Sequence, residues 1–436
     1  MEKDQQFLDM MNTIPDVLAP SLSEDWPELP VIKAQGAYLF TADGRKILDF
    51  TSGIGVTNIG HCHPRVIEAA RKQMGSFIHS AVGVTIHKSL LELCEALPNI
   101  LPSKMEAFFF GNSGTEAVEG AIKMARYVTR RPGIIAFEGG FHGRSYGSIS
   151  VTSVKSKYRD HLEPFIPGIY FAPYPYAYRC PFGNTPEAAM EWSLYGIKQL
   201  FQHQIPPTQV AAFLVEPIQG EGGYIVPPQD FLRNLRQICD QHGILLILDE
   251  IQCGFGRSGE MFAAQVFQVQ PDIMAIAKAI ASGFPLSATA SSRELMMQWK
   301  AGAHGTTFGG NPVSCAAALA TLKVFQEENV LDNCRRMGAK FLDGLSHLKQ
   351  KYSCIGDVRG IGLMLAIEMV TPGSDKEPDP AAAMQVLQLA LEQGLLAYMA
   401  GTYGQVVRFI PPLTVTGEQI DTALNILDEV LAQVHR

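Results

Sequence analysis

Two short apolar runs each end in a group capable of chemistry: Leu245–Leu248 runs into Asp249, and Ile273–Ala277 runs into Lys278. Apolar runs of this length, bounded by turn residues, read as strands buried on both faces, as in a parallel sheet. Ligands of such sheets collect at the carboxyl ends of the strands. The pattern therefore delivers a carboxylate and an amine to one cleft. A buried lysine beside a buried aspartate suits pyridoxal phosphate: the lysine forms the Schiff base and the aspartate pairs with the pyridinium nitrogen. Each residue also has a plainer use, the aspartate as a helix cap and the lysine on a solvated edge. The weight falls on how many other parts of one site follow in order.

Three more strand ends carry such parts. Phe108-Phe109-Phe110 runs into Gly111-Asn112-Ser113-Gly114-Thr115-Glu116, before a helix with Val118, Ala121, Ile122 and Ala125 on one face. Small residues at a strand-to-helix turn let the backbone approach an anion, and the free N–H groups of the helix start bind it. Ser113 and Thr115 add hydroxyl donors, whereas Glu116 competes with an anion. Next, Phe137-Glu138-Gly139-Gly140-Phe141-His142-Gly143-Arg144 offers an aromatic to stack on a flat ring and an arginine to clamp a carboxylate. Glu216-Pro217-Ile218-Gln219-Gly220-Glu221-Gly222-Gly223 sets two carboxylates in a glycine-rich loop. Paired carboxylates suit glycoside hydrolysis, but that reading leaves Lys278, Asp249 and the anion turn without a role.

The elements that must position these groups are legible from periodicity. From about Pro64 to Gly310 strands alternate with amphipathic helices, the mark of an open α/β sheet. The expected strands are Ala107–Phe110, Ile134–Phe137, Ala212–Val215, Ile244–Leu248, Ile273–Ile276 and Leu286–Ser291. Ahead of them, Tyr38–Phe40 and Ile47–Phe50 flank Ala42-Asp43-Gly44 as a hairpin. A helix is expected from Asn311 to Glu328. The chain after Met337 reads as a smaller α+β domain, with strands at Gly362–Met369 and Val406–Ile410. Its last helix runs from Ile420 to Val434 behind a Thr416–Gln419 capping box. The first thirty residues, proline-rich from Pro15 to Pro30, are expected to run over a surface or a partner subunit.

Composition bounds the function classes. With 436 residues, 47% hydrophobic and 18% charged, the chain reads as an ordinary globular protein of two or three domains. Its 35 basic and 43 acidic side chains give a net charge of −8, which argues against a nucleic-acid surface. The N-terminus lacks a secretory pattern and no run approaches a membrane span, so a cytoplasmic enzyme with no membrane partner is expected. Eight scattered cysteines without a C-x-x-C pair read as reduced thiols. His61-Cys62-His63 has no second cluster at zinc spacing, so a loop histidine pair is expected and no metal.

Taken together, these motifs resemble the class III pyridoxal-phosphate aminotransferases, the group holding the 4-aminobutyrate, ornithine and acetylornithine enzymes. The likeness runs from about Gly36 to the C-terminus and also takes in Asp43-Gly44, Asn58-Ile59-Gly60-His61, Asp249-Glu250-Ile251-Gln252 and Thr306-Thr307-Phe308-Gly309-Gly310-Asn311-Pro312. It implies a fold-type I transferase: an N-terminal arm and hairpin (1–60) joined to the small domain, a large cofactor-binding α/β domain (61–310) and a small C-terminal domain (311–436). Lys278 would carry the cofactor and move the substrate proton. Asp249 would keep the ring nitrogen protonated, Gln252 would meet the ring oxygen, and Phe141 and Ile251 would sandwich the ring. Ser113, Gly114 and Thr115 would bind the phosphate, with His142 also beside the cofactor. Thr307 would reach the phosphate of the neighbouring subunit, which implies a homodimer or a dimer of dimers.

For the substrate, the resemblance points to Ile54, Arg144, Glu216, Glu221 and Arg408. In the 4-aminobutyrate and ornithine enzymes the matching glutamate and arginine pair when a substrate lacks an α-carboxylate, and part when glutamate binds. An ω-amino acid, 4-aminobutyrate first, with 2-oxoglutarate as acceptor is therefore expected, in a ping-pong scheme. Ornithine- or acetylornithine-type transfer, another amine donor, or racemisation on the same fold are the alternatives. Two features depart from the subgroup. Asn112-Ser113 replaces a threonine-rich turn, and Tyr174–Gly183 is an aromatic insertion that either lines the entrance or packs as a surface loop.

Overall fold

In the computed structural model, residues 4–22 and 29–434 are described. The expected surface stretch Pro15–Pro30 lies in part outside them. Fifteen strands occur among the described residues: β1 (Val31–Gln35), β2 (Tyr38–Thr41), β3 (Lys46–Asp49), β4 (Ala107–Gly111), β5 (Gly133–Phe137), β6 (Ile169–Ala172), β7 (Val210–Val215), β8 (Leu245–Asp249), β9 (Ile273–Ile276), β10 (Ser287–Ser291), β11 (Ile355–Ile361), β12 (Met364–Met369), β13 (Leu395–Leu396), β14 (Tyr398–Ala400) and β15 (Val406–Phe409).

Seven of them form the large sheet, in the order β4-β10-β9-β8-β7-β5-β6. Only β10 runs against its neighbours; the pairs from β9 through β8, β7 and β5 to β6 are parallel. Parallel strands with helices on both faces must be apolar on both sides. Every side chain of β5 and β7 is accordingly buried. On β8, Leu246 and Leu248 enter one core cluster and Ile247 the other. Each such burial stabilises the sheet by about 1.5–3 kcal/mol.

The six expected strands of this sheet are present within a residue or two at their ends. The seventh strand, β6, escaped because Ile169–Ala172 is only four residues and partly exposed. β8 extends to Asp249, so the carboxylate sits on the last strand residue. The expected strand Gly362–Met369 starts two residues later, because Gly362, at φ +57, makes the turn of a hairpin with the unforeseen β11, and pairing begins at Met364.

The hairpin β2–β3 is extended by β1 on one side, and β13 from the C-terminal region pairs with β3 in parallel on the other. A third sheet runs β11-β12-β15-β14. Phe50, Phe341 and Phe409 stack edge to face between the N-terminal hairpin, the Val330–Lys351 helix and β15. The final helix, Gly417–Val434, starts with the expected reciprocal bonds between Thr416 and Gln419. The aromatic insertion packs rather than lining an entrance. Tyr174 donates to the carbonyls of Glu216 and Pro217, and Arg179 and the Tyr176 hydroxyl both bind the fully buried Glu368 on β12.

Candidate active site

Because β4, β5, β7, β8 and β9 point the same way, the segments following them meet at one edge of the sheet. A cavity of about 420 Å³ opens there. Its wall includes Lys278 and Asp249, Phe141 and Ile251, and Gln252, His142, Gly114 and Thr115. The substrate candidates Ile54, Arg144, Glu216, Glu221 and Arg408 line the same space. Ser113 and Thr307 do not. Ser113 is turned away, its N–H and hydroxyl both bound to Glu116. Thr307 sits exposed on the loop before Pro312.

Each group is held by identifiable bonds. Asp249 accepts from the Ile251 N–H at 3.1 Å, and its other oxygen lies 2.7 Å from His142 Nδ1. Lys278 follows β9 at φ +48, a strained backbone state of the kind that clusters at functional sites. Of the expected anion turn, Gly114 and Thr115 line the cavity, and the N–H groups that open a helix lack an intrahelical acceptor. Glu116, foreseen as a competitor, instead folds back on the Asn112 and Ser113 N–H groups at 2.8 and 2.7 Å. Burial pushes its carboxyl up, but those bonds outweigh it and hold it below the usual range. Gly114 cannot be larger here: a Cβ would sit 2.9 Å from Ile251 Cδ1.

On the substrate side, Ser52, Gly53, Ile54 and Gly55 form a left-handed turn, with φ from +47 to +74. A β-branched residue at positive φ is a genuine outlier. Asp49 over-determines this turn, accepting from the Thr51 N–H, the Thr51 hydroxyl and the Ser52 N–H. The result leaves Ile54 42% exposed at the cavity wall. Arg408, on β15, is 1% exposed, and its Nη2 lies 2.8 Å from Glu221 Oε2. Arg144 makes no ion pair among the described residues; its guanidinium lies 3.8 Å from the Tyr158 ring.

Electrostatics follow from burial. Desolvation, reinforced by the Arg408 charge, lowers the Lys278 amine to about 8, against the pull of Asp249, Glu216 and Glu221. Desolvation likewise raises Glu216 to about 7, although the Phe141 and Gly220 N–H groups bond its carboxylate. Burial works against the charged form of His142, but its bond and charge contact with Asp249 win and raise it. Arg408 is also raised, the Glu221 carboxylate outweighing the burial term.

Two residues went unforeseen. Tyr158 and Tyr398 both line the cavity. Tyr398 stands opposite Arg408 in the β14–β15 register, its ring 5.0 Å from the guanidinium. The pairing of β14 with β15 would have revealed it; Tyr158, on a single turn Ser156–Tyr158, carries no periodic signal. Of the histidine pair, His61 bonds Asp49 and His63 bonds Glu328. Among the described residues no group of side chains could hold a metal ion, and no helix is long and apolar enough to cross a membrane.

The family model for class III aminotransferases matches residues 21–431. The chain belongs to that family. This aminotransferase is 38% identical over 398 residues to a probable 4-aminobutyrate aminotransferase of Bacillus subtilis, covering 91% of each chain. It is 36% identical over 401 residues to an alanine/serine racemase of Pyrococcus horikoshii, covering 91% of this chain and 84% of that one. An amine transaminase from an uncultivated Pseudomonas species, solved with pyridoxal phosphate bound, superposes with a TM-score of 0.89 at 31% identity, covering 96% of this chain and 97% of that one. The cofactor of this aminotransferase is pyridoxal phosphate. The cavity suits it: Gln252 Oε1 is buried without a partner, and Lys278 offers an amine of lowered basicity.

Proposed function

We propose that this aminotransferase moves the amino group of an ω-amino acid, 4-aminobutyrate first, to 2-oxoglutarate, giving the semialdehyde and L-glutamate in two half-reactions sharing one cavity. One observation supports the donor assignment above all others. A buried arginine, Arg408, is neutralised by Glu221 inside a cavity whose other arginine, Arg144, has no carboxylate. Two arginines fit glutamate and 2-oxoglutarate. With one of them masked, the cavity fits a donor carrying a single carboxylate far from its amine. A permanently unpaired charge on the buried Arg408 would be costly.

Bound pyridoxal phosphate supplies the electron sink for the substrate carbon that loses its proton. Lys278 Nζ takes that proton and returns it, a task helped by a lowered amine pKa. Asp249, fixed by His142, holds the proton on the ring nitrogen. Gln252 addresses the ring oxygen, while Phe141 and Ile251 cover the ring faces and exclude water. The turn at Gly114 and Thr115 receives the phosphate. Arg144 grips the donor's carboxylate beside Ile54, and Glu216 closes the floor.

In this reading the enzyme is a dimer at least. Thr307 is exposed beside Phe308, whose ring packs 5.0 Å from His79, and Ile78, Val84 and Ile86 nearby are exposed apolar side chains. An apolar surface of this kind suits a second copy, which would bring Thr307 to the partner's phosphate turn. The test is product formation from 4-aminobutyrate with and without 2-oxoglutarate. Repeated turnover to semialdehyde and glutamate with the acceptor, and no more than one semialdehyde per site without it, is expected. Loss of optical rotation by alanine or serine without any keto acid, and no semialdehyde, would support a racemase instead.

A further inference from the structure

We propose that Tyr158 sets the donor preference of this site, by holding Glu221 on Arg408 while its ring backs Arg144. The proposal rests on the dual-carboxylate reading above.

The geometry divides the Glu221 carboxylate between two partners. Oε2 takes Arg408 at 2.8 Å, and Oε1 accepts from the Tyr158 hydroxyl at 3.2 Å, with Lys155 Nζ at the margin, 3.9 Å away. The same tyrosine presents its ring to Arg144 at 3.8 Å and stands edge-on to Phe141 at 6.1 Å. One half-buried side chain thus touches the groups that recognise both ends of a dicarboxylate. Burial, with the Glu221 charge beside it, raises its hydroxyl to about 12, so it remains a donor at any working pH.

A bias follows. Admitting the α-carboxylate of glutamate requires Glu221 to leave Arg408, and leaving also breaks the bond from Tyr158. The hydroxyl therefore favours the masked state, which suits a donor with no α-carboxylate. A hydrogen bond to a charged group is worth about a factor of ten or more. Tyr158→Phe keeps the ring and removes only that bond, so the two substrates should move in opposite directions. A merely structural role would move both the same way.

The experiment is calorimetric titration of the holoenzyme with glutarate, which carries both carboxylates and no amine, for the wild type, Tyr158→Phe and Tyr158→Leu. Tyr158→Phe is expected to bind glutarate about tenfold more tightly. Its ratio of kcat/KM for 4-aminobutyrate over glutamate should fall by a similar factor. Tyr158→Leu, lacking the ring behind Arg144, is expected to bind glutarate more weakly than Tyr158→Phe. Unchanged, weaker or absent glutarate binding in Tyr158→Phe would overturn the proposal. A wild-type enzyme that refuses 4-aminobutyrate would instead remove the donor assignment alone, because the glutarate titration needs only Arg144 and Arg408.

Discussion

Replacing Glu221 with alanine strips from Arg408 its only carboxylate partner among the described residues and leaves a guanidinium that is 1% exposed facing the cavity. Removing one partner of a buried pair costs about 3–5 kcal/mol. Here the lower end applies, because Glu221 keeps 16% of its surface exposed and the Tyr398 and Tyr224 rings stay 5.0 and 5.7 Å from the charge. About 2–3 kcal/mol remains, or roughly 30- to 150-fold. That cost is carried by the free variant and its 4-aminobutyrate complex alike and is relieved only when glutamate binds, so the ratio of the two half-reactions should shift toward glutamate by up to that factor. Glutamate brings its own α-carboxylate and no longer has to displace Glu221, so its half-reaction should be unchanged or faster. Stopped-flow absorbance of the cofactor, one amino donor at a time, separates the two. Equal losses, or a larger loss with glutamate, would refute the masking role of Glu221.

Further outcomes follow from other parts of the structure. Arg144→Ala should raise KM for carboxylate donors about tenfold, the low end for a charged bond because this arginine is exposed, while leaving simple amines little changed; steady-state kinetics on both classes checks it. Lys278 has an amine lowered from 10.5 to about 8 by burial, so between those values the unfolded chain binds the extra proton and stability rises with pH. In cofactor-free protein, Lys278→Met should therefore gain about 3 kcal/mol at pH 7, a gain fading toward pH 10.5, as read by urea unfolding. The same substitution in holoenzyme should abolish turnover. Glu368→Ala leaves Arg179 and Arg359 without their shared buried carboxylate, and a loss of about 3–5 kcal/mol in unfolding free energy is expected.

Much of the large sheet, and which strand-end residues meet at one cavity, is legible in the sequence. Each strand of the large sheet that ends in a functional group is either uniformly apolar or bounded by glycine. Its position fixes the carboxyl-end group, so Asp249 and Lys278 were located by pattern alone. What escaped depends on distant pairing. β6 is short and partly exposed, β13 has two residues, and β14 becomes a strand only because β15 lies beside it. Tyr158 and Tyr398 matter through what the fold brings to them, not through their neighbours in the chain. Ser113 shows the converse error. Its type and place suggested a ligand for an anion, yet Glu116, three residues on, claims both its donors. The insertion between Tyr174 and Gly183 resolved toward packing because Glu368, nearly two hundred residues away, gives its arginine and tyrosine a buried partner.

One cavity is proposed to accept both an ω-amino monocarboxylate and glutamate as amino donors. The most direct measurement is the visible absorption of the holoenzyme on adding 4-aminobutyrate, and separately L-glutamate, with no keto acid present. Bleaching of the cofactor band by each donor, reversed by 2-oxoglutarate, is the predicted result. Bleaching by glutamate alone would contradict the donor assignment, and a band unmoved by either would contradict the account as a whole.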